Sequence, residues 1–349
     1  MLVVKSLTVF LLLLPKGLAI RWMALLQAAS LSSVDQTEQC DNLPGLTKRQ
    51  VKICKKNLEV MDSVRLGAEA ALKECQWQFR GRRWNCSTIS NSTKIFGKAL
   101  AEGTREAAFV HALSSAGVAH TVTRSCSSGG LGRCGCDRTV RGYSPEGFQW
   151  SGCSDNVAFG SAFSKSFVDI RELKGARGPR PKPSSLVNLH NNEAGRKILE
   201  YNMKIECKCH GVSGSCETRT CWRALPEFRR VGTILLQRYD NAAEARRPGQ
   251  GKRNSQQPLS AFSFRQQHSD TDLVYLQAST DFCDAPGTFG RPCNSSLGER
   301  PGGCDLLCCG RGHSSRSQRV RERCECKFHW CCYVKCMECE REVEINYCH

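Results

Sequence analysis

After the first twenty residues no stretch is long and apolar enough to form a membrane-crossing helix, which excludes an integral helical membrane protein. No internal repeat of fixed period is present, which argues against a solenoid or a propeller. Acidic residues are in deficit, with 33 Asp and Glu against 50 Lys and Arg, so the net charge is +17. A complete hydrolase elbow, Gly-x-Ser-x-Gly, is also missing. Gly211-Val212-Ser213-Gly214 begins one, but residue 215 is serine. His210 is close in sequence, yet a catalytic base needs its own orienting group and the right approach. The expectation is that the chain is not an enzyme.

What the chain does have is cysteine, 24 in 349 residues. Compartment decides how to read them. Residues 1–19 carry Lys5, an apolar stretch from Leu7 to Leu14, and small Gly17 and Ala19 at cleavage spacing, the pattern of a secretory signal peptide. Three Asn-x-Ser/Thr sequons, at Asn85, Asn91 and Asn294, agree with export and are candidate sites for N-linked glycans. In an oxidising compartment cysteines bridge. Zinc is the competing reading for Cys207-Lys208-Cys209-His210 and Cys336-Met337-Glu338-Cys339. Export with so many cysteines favours disulfides and no metal.

The positive charge is clustered at Lys48–Lys56, Arg80–Arg83, Arg171–Lys182, Arg246–Arg253 and Arg316–Arg323. Outside the cell the polyanions on offer are sulfated glycans and acidic membrane surfaces, not nucleic acid. A basic, disulfide-rich matrix or glycan-binding protein is therefore an alternative reading of the chain.

The first half reads as helical. Apolar residues fall on one face from Val51 to Phe79, predicting a single helix there. A second is expected over Ala99–Thr123. A third follows Ser154-Asp155, an N-cap pair, with Phe159, Phe163, Phe167 and Ile170 on one face. Residues 175–185 read as a basic loop, and helices are expected around His190–Asn202 and from Pro226. The fold class is a mainly α N-terminal domain, 20–240, and a small disulfide-rich β-hairpin C-terminal domain, 270–349, joined by a linker at 241–269. Twelve of the 24 cysteines lie in the last 67 residues, a stretch too short to rely on an apolar core alone.

Spacing suggests two nested hairpins. Pairing Cys324 with Cys339 and Cys326 with Cys336 centres both on Cys331-Cys332, which could bond to each other at a tip. This finger spans 323–343, and Phe328, Trp330, Tyr333 and Val334 surround its tip. Rigid aromatics of this kind resemble a binding anchor. In the same way Cys209–Cys216 inside Cys207–Cys221 nests around Val212–Gly214, within a hairpin at 204–222. Gly211 and Gly214 permit positive φ, so the turn can be sharp and offer the Ser213 hydroxyl to another enzyme as a modification acceptor. Other pairings stay open on spacing alone.

The motifs CHGVSGSC followed by CW, RRWNCS (82–87), GTREAAFV (103–110), FQWSGCSDN (148–156) and FHWCC (328–332) resemble the Wnt family of secreted, lipid-modified signalling glycoproteins. The likeness runs from about Cys40 to the C-terminus and is nearest to the family's fourth subtype. It implies that Ser213 carries a monounsaturated fatty acyl group, attached in the endoplasmic reticulum by a membrane-bound acyltransferase. It implies further that no other cofactor is needed and that a lipid-shielding carrier handles export. The acylated hairpin would act as a thumb and the C-terminal hairpin as a finger, together gripping the cysteine-rich domain of a Frizzled receptor. An LDL-receptor-related co-receptor would complete the signalling complex. Carried over, the thumb contact is Lys208, His210, Gly211, Val212, Ser213 and Gly214. The finger contact is Phe328, Trp330, Cys331, Cys332, Tyr333 and Val334. The resemblance supports the four nested bridges and Cys331–Cys332. It adds Cys40–Cys54, Cys75–Cys86, Cys126–Cys134, Cys136–Cys153, Cys283–Cys309, Cys293–Cys304 and Cys308–Cys348, and all 24 cysteines are then used. The chain departs from the family at 241–269 and at His313-Ser314-Ser315. The implied location is the extracellular space and matrix.

Overall fold

A computed structural model describes residues 20–28, 40–88, 96, 100, 103–177, 181–245, 269–283, 286–330 and 332–349. The signal-peptide segment, Asn91, the Arg246–Arg253 cluster and Cys331 lie outside the described residues, and with Cys331 so does the expected Cys331–Cys332 bridge.

Ile20 and the short 3-10 segment Arg21–Gln27 open the described chain, and Trp22, Met23, Ala24 and Leu25 are buried in the main core. Helix α1 (Lys48–Lys56) starts on a capping box, in which Gln50 N donates to Thr47 Oγ1 and Thr47 N donates to Gln50 Oε1. The single helix expected over Val51–Phe79 is instead two. Asn57 leaves helical geometry (φ −138°, ψ 49°), and its side chain donates to the Ile53 carbonyl at 2.9 Å, closing α1. Helix α2 (Leu58–Gln78) begins at the next residue.

Helix α3 (Arg105–Ser127) is the central element, capped by Thr104 and buried along nearly its whole length. It starts and ends later than the expected Ala99–Thr123. Its small residues allow close packing: a Cβ on Gly117 would fall 2.5 Å from the Gly67 carbonyl oxygen on α2. Helix α4 (Val157–Val168) is capped by Asn156 rather than by Ser154-Asp155. Helices α5 (Ile170–Ala176) and α6 (Pro183–Tyr201) follow, so the helical content reaches into the expected 175–185 loop from both sides. Pro183 occupies the first turn of α6, where its missing N–H is harmless. Arg196 of α6 is buried and spans Asp169, Glu193 and Ser115, which ties α6 to α3 and to the α4–α5 junction. Helix α7 (Phe228–Asp240) buries Val231 and Leu235 against α2 and α3.

The helical body also contains four short strands and one antiparallel pair of longer ones. Strands β1 (Gly142–Tyr143), β2 (Gln149–Trp150), β3 (Lys204–His210) and β4 (Thr218–Ala224) form a sheet of order β1-β2-β4-β3, with β2 parallel to β4. Strands β5 (Ala243–Glu244) and β6 (Val274–Tyr275) pair parallel, and Leu273 and Val274 are fully buried. Asn191 of α6 bonds both N and O of Val274. Residues 269–276, read from the sequence as linker end and C-terminal domain, are thus packed into the helical body.

The C-terminal unit holds β7 (Pro292–Cys293), the one-turn helix α8 (Cys304–Leu307), and the long ribbon of β8 (His313–His329) and β9 (Tyr333–Cys348). Among the described residues its buried apolar cluster is Cys293, Cys304, Leu307, Cys308 and Cys348. Disulfides therefore replace a core, as chain length requires. Among the described residues no helix is long and apolar enough to cross a membrane.

Candidate functional site: two cross-linked hairpin tips

Eleven bridges are present among the described residues: 40–54, 75–86, 126–134, 136–153, 207–221, 209–216, 283–309, 293–304, 308–348, 324–339 and 326–336. These join the same partners as the pairs set out above. Cys207, Cys209, Cys336 and Cys339, whose spacing suits zinc, are all oxidised. Cys293, Cys304 and Cys308 come within ligand distance of one another, but each sulfur is in a disulfide.

The thumb is β3 and β4, with Cys207 directly opposite Cys221. Both cysteines of the inner bridge lie nearer the tip, Cys209 at the end of β3 and Cys216 just before β4. β3 is exposed along its length, so the hairpin projects from the body. Its foot is held from below. Ser154 Oγ accepts from Arg223 N, the Asp155 carboxylate accepts from Leu225 N at 2.7 Å, and Ser151 N donates to the Cys221 carbonyl. Ser154 and Asp155, expected as a helix cap, instead anchor the thumb. Arg219 of β4 lies over the ring of Phe148, the residue just before β2, 5.3 Å from its centroid, which braces the inner strand of the thumb against the body.

At the tip, Val212–Gly214 forms a single 3-10 turn. The positive φ expected at Gly211 and Gly214 falls on Ser213 between them, which is left-handed at φ 58°, ψ 28°. Gly211 is extended, and glycine is needed there because a Cβ would meet the Ser215 carbonyl oxygen at 2.5 Å. A non-glycine residue in the left-handed region is strained, and such residues concentrate at functional sites. Ser213 is exposed, and its hydroxyl makes no hydrogen bond among the described residues. Val212 beside it is 81% exposed. His210 Nε2 pairs with Thr220 Oγ1 at 2.8 Å, across the strands and away from a role as a base for Ser213.

The finger is β8 and β9. Their register slips between Cys324 and Lys327, where Glu325 is left-handed at φ 45°. This bulge explains why Cys326 faces Cys336 within the shifted register while the Cys324–Cys339 bridge runs diagonally. Near the tip Phe328 opposes Val334, and His329 stacks on Tyr333 at 5.0 Å. Trp330 is 93% exposed and Phe328 71%. Met337, opposite Cys324 on the ribbon, is exposed too.

Two basic clusters are occupied within the fold. Arg319, Arg321 and Arg323 on β8 face Glu342, Glu340 and Glu338 on β9, with Arg321 to Glu340 at 2.8 Å. Arg82 pairs with Asp240 at 2.8 Å, Arg83 reaches the Leu306 carbonyl, and Arg80 covers Trp77. The Lys48–Lys56 and Arg171–Lys182 clusters are different. Lys48, Arg49 and Lys52 are exposed on α1, beside a cleft of about 590 Å³ lined by Arg21, Arg171, Lys174 and Lys182.

The Wnt family model matches residues 42–349. Protein Wnt-3a of Mus musculus is 46% identical over 338 residues, 94% of this chain and 94% of the relative. Protein Wnt-3a of Homo sapiens is 44% identical over the same shares. Among solved structures, that of human WLS in complex with WNT8A provides a chain 38% identical, aligned over 82% of this chain and 93% of its own, with a TM-score of 0.58. These matches carry the family and not the subtype.

Proposed function

Because the chain belongs to the Wnt family, whose members are signalling ligands and not enzymes, we propose that it is a secreted ligand acylated on Ser213 that binds the cysteine-rich domain of a Frizzled receptor. One observation carries this reading: a serine hydroxyl without a partner among the described residues, held in a strained backbone state at the apex of a doubly stapled hairpin. A turn that merely needed to be tight would be served better by glycine at 213. Keeping serine there supports a need for the hydroxyl. The bridges stop an acylated loop from folding its chain back onto the protein.

On this reading the lipid enters a receptor groove, with Lys208, His210, Gly211, Val212 and Gly214 around it. Phe328, Trp330, Tyr333 and Val334, with Cys331 and Cys332, make the second contact. The co-receptor is of the LDL-receptor-related class. The complex of WNT8A with WLS supports a carrier partner for a ligand of this kind, since an exposed acyl chain needs shielding in water. N-linked glycans are proposed at Asn85, Asn91 and Asn294. The test is capture of the secreted, detergent-solubilised chain by an immobilised Frizzled cysteine-rich domain. Capture is expected; a chain that is folded and secreted but not retained contradicts the reading.

A second partner class rests on the basic cleft. We propose that sulfated glycans bind at Lys48, Arg49 and Lys52 with the cleft beside them, rather than on β8, where Arg319 and Arg321 pair with Glu342 and Glu340. Charge reversal at Lys48 and Lys52 should shift elution from immobilised heparin to clearly lower salt, since exposed charges act through screened fields. Reversal at Arg321 should shift it less. Equal shifts would contradict the assignment.

A further inference from the structure

We propose that Arg291 is a positioning residue that fixes the finger relative to the thumb, and that receptor affinity depends on it although it lies on neither tip; this rests on the two-tip reading above. Among the described residues none of the eleven disulfides joins the helical body to the C-terminal unit. Each bridge closes within 40–221 or within 283–348. Apart from the chain itself, the described contacts that hold the two units together are therefore noncovalent, and their donors and acceptors can be named.

Four consecutive backbone carbonyls of the turn after α2 are taken by donors of the C-terminal unit. Arg291 Nη2 donates to Arg80 O at 2.8 Å, and Arg291 Nη1 donates to Arg82 O at 2.9 Å and Arg83 O at 2.8 Å. Gly302 N donates to Gly81 O at 2.7 Å. The planar fork spreads these donors over two nitrogens, whereas a lysine would have to reach all three carbonyls from a single ammonium nitrogen. No carboxylate pairs with Arg291 among the described residues, and partial burial pulls its pKa down. A charge held only by carbonyls is a geometric device more than an ion pair.

Both ends of the clamp are stiff. On the thumb side the Cys75–Cys86 bridge encloses the turn, and Phe79 is buried against Trp84 and Tyr239. Arg82 then pairs with Asp240 at the end of α7, the helix that follows β4 of the thumb. On the finger side the Arg291 carbonyl accepts from Cys348 N at 3.0 Å, and Cys348 is the last residue of β9. Arg291 thus links the root of one hairpin to the body that carries the other.

A ligand with two contacts on one receptor domain gains from the second only if the geometry lets both engage together. Arg291→Gln removes the fork and leaves the other junction contacts, among them Arg83 Nε to Leu306 O and the Trp84–Phe282 stack. The units should loosen without separating.

The test is a double-mutant cycle with full-length, secreted, acylated chain in detergent, binding an immobilised Frizzled cysteine-rich domain. Arg291→Gln should weaken binding about tenfold in the parent chain and less than about twofold in a Trp330→Ala background, where the finger already contributes little. Arg291→Lys, which keeps the charge and loses the fork, should fall between. If Arg291→Gln is not secreted, Arg83→Gln probes the same junction and should show the same non-additivity. Equal losses in both backgrounds overturn the proposal, because they mean general damage. No loss in the parent chain also overturns it, while Ser213→Ala, measured alongside, reports separately on the receptor reading: undiminished binding by Ser213→Ala sinks that reading and this proposal together.

Discussion

Ser213→Ala is expected to leave the chain folded and disulfide-bonded but to weaken binding to a Frizzled cysteine-rich domain by at least about a thousandfold, about 4 kcal/mol. The size follows from the acyl group, not from the hydroxyl. A buried methylene contributes about 0.8 kcal/mol, so a chain with roughly a dozen supplies on the order of 10 kcal/mol. Part of that is offset because the free lipid is already sheltered by detergent or a carrier. Folding should be untouched, since the Ser213 side chain is exposed and has no partner among the described residues to lose. Alanine in the left-handed region carries the same kind of strain as serine, so the backbone cost is nearly constant between the two. Binding and reporter activity should fall together, while bridge formation, read by non-reducing mass analysis, should not change.

The second large effect is at the other tip. Trp330→Ala should weaken the same binding about thirtyfold, about 2 kcal/mol, without altering acylation. Trp330 is 93% exposed in the free chain, so its truncation removes almost no native packing. Exposed aromatics on a ribbon of opposed Arg and Glu have no folding role to explain them, and tryptophan is the residue type most often dominant at an interface. Phe328→Ala should follow with a smaller loss. An unchanged affinity for both variants, with acylation intact, would confine receptor binding to the thumb.

The parts of the fold legible in the sequence are those set by local spacing. Cysteines spaced symmetrically about a common centre suggest nested hairpins, so spacing points to both tips, and helical periodicity marks α4 and α7 within a few residues and the start of α3 within six. Long-range choices were hidden. Nothing local to Asn57 says that its amide will close α1 on the Ile53 carbonyl instead of letting the helix run on. Strands β2 and β4 pair over two residues each, about seventy positions apart, too short to leave a periodic signal. Ser154 and Asp155 suit a helix start, but a better use emerged once Arg223 and Leu225 arrived beside them. The left-handed state of Ser213 was assigned to its glycine neighbours, because sequence rules give that conformation to glycine by default. Arg291 looked like one basic residue among fifty; only the meeting of two chain segments shows its three carbonyls.

The most direct measurement is the mass of one peptide. After reduction, trypsin should release Cys209–Arg219, which holds two serines, Ser213 and Ser215. From secreted, active protein, after reduction and alkylation, that peptide should carry a monounsaturated fatty-acyl increment that fragmentation places on Ser213. The same peptide recovered unmodified from receptor-active protein would contradict the account.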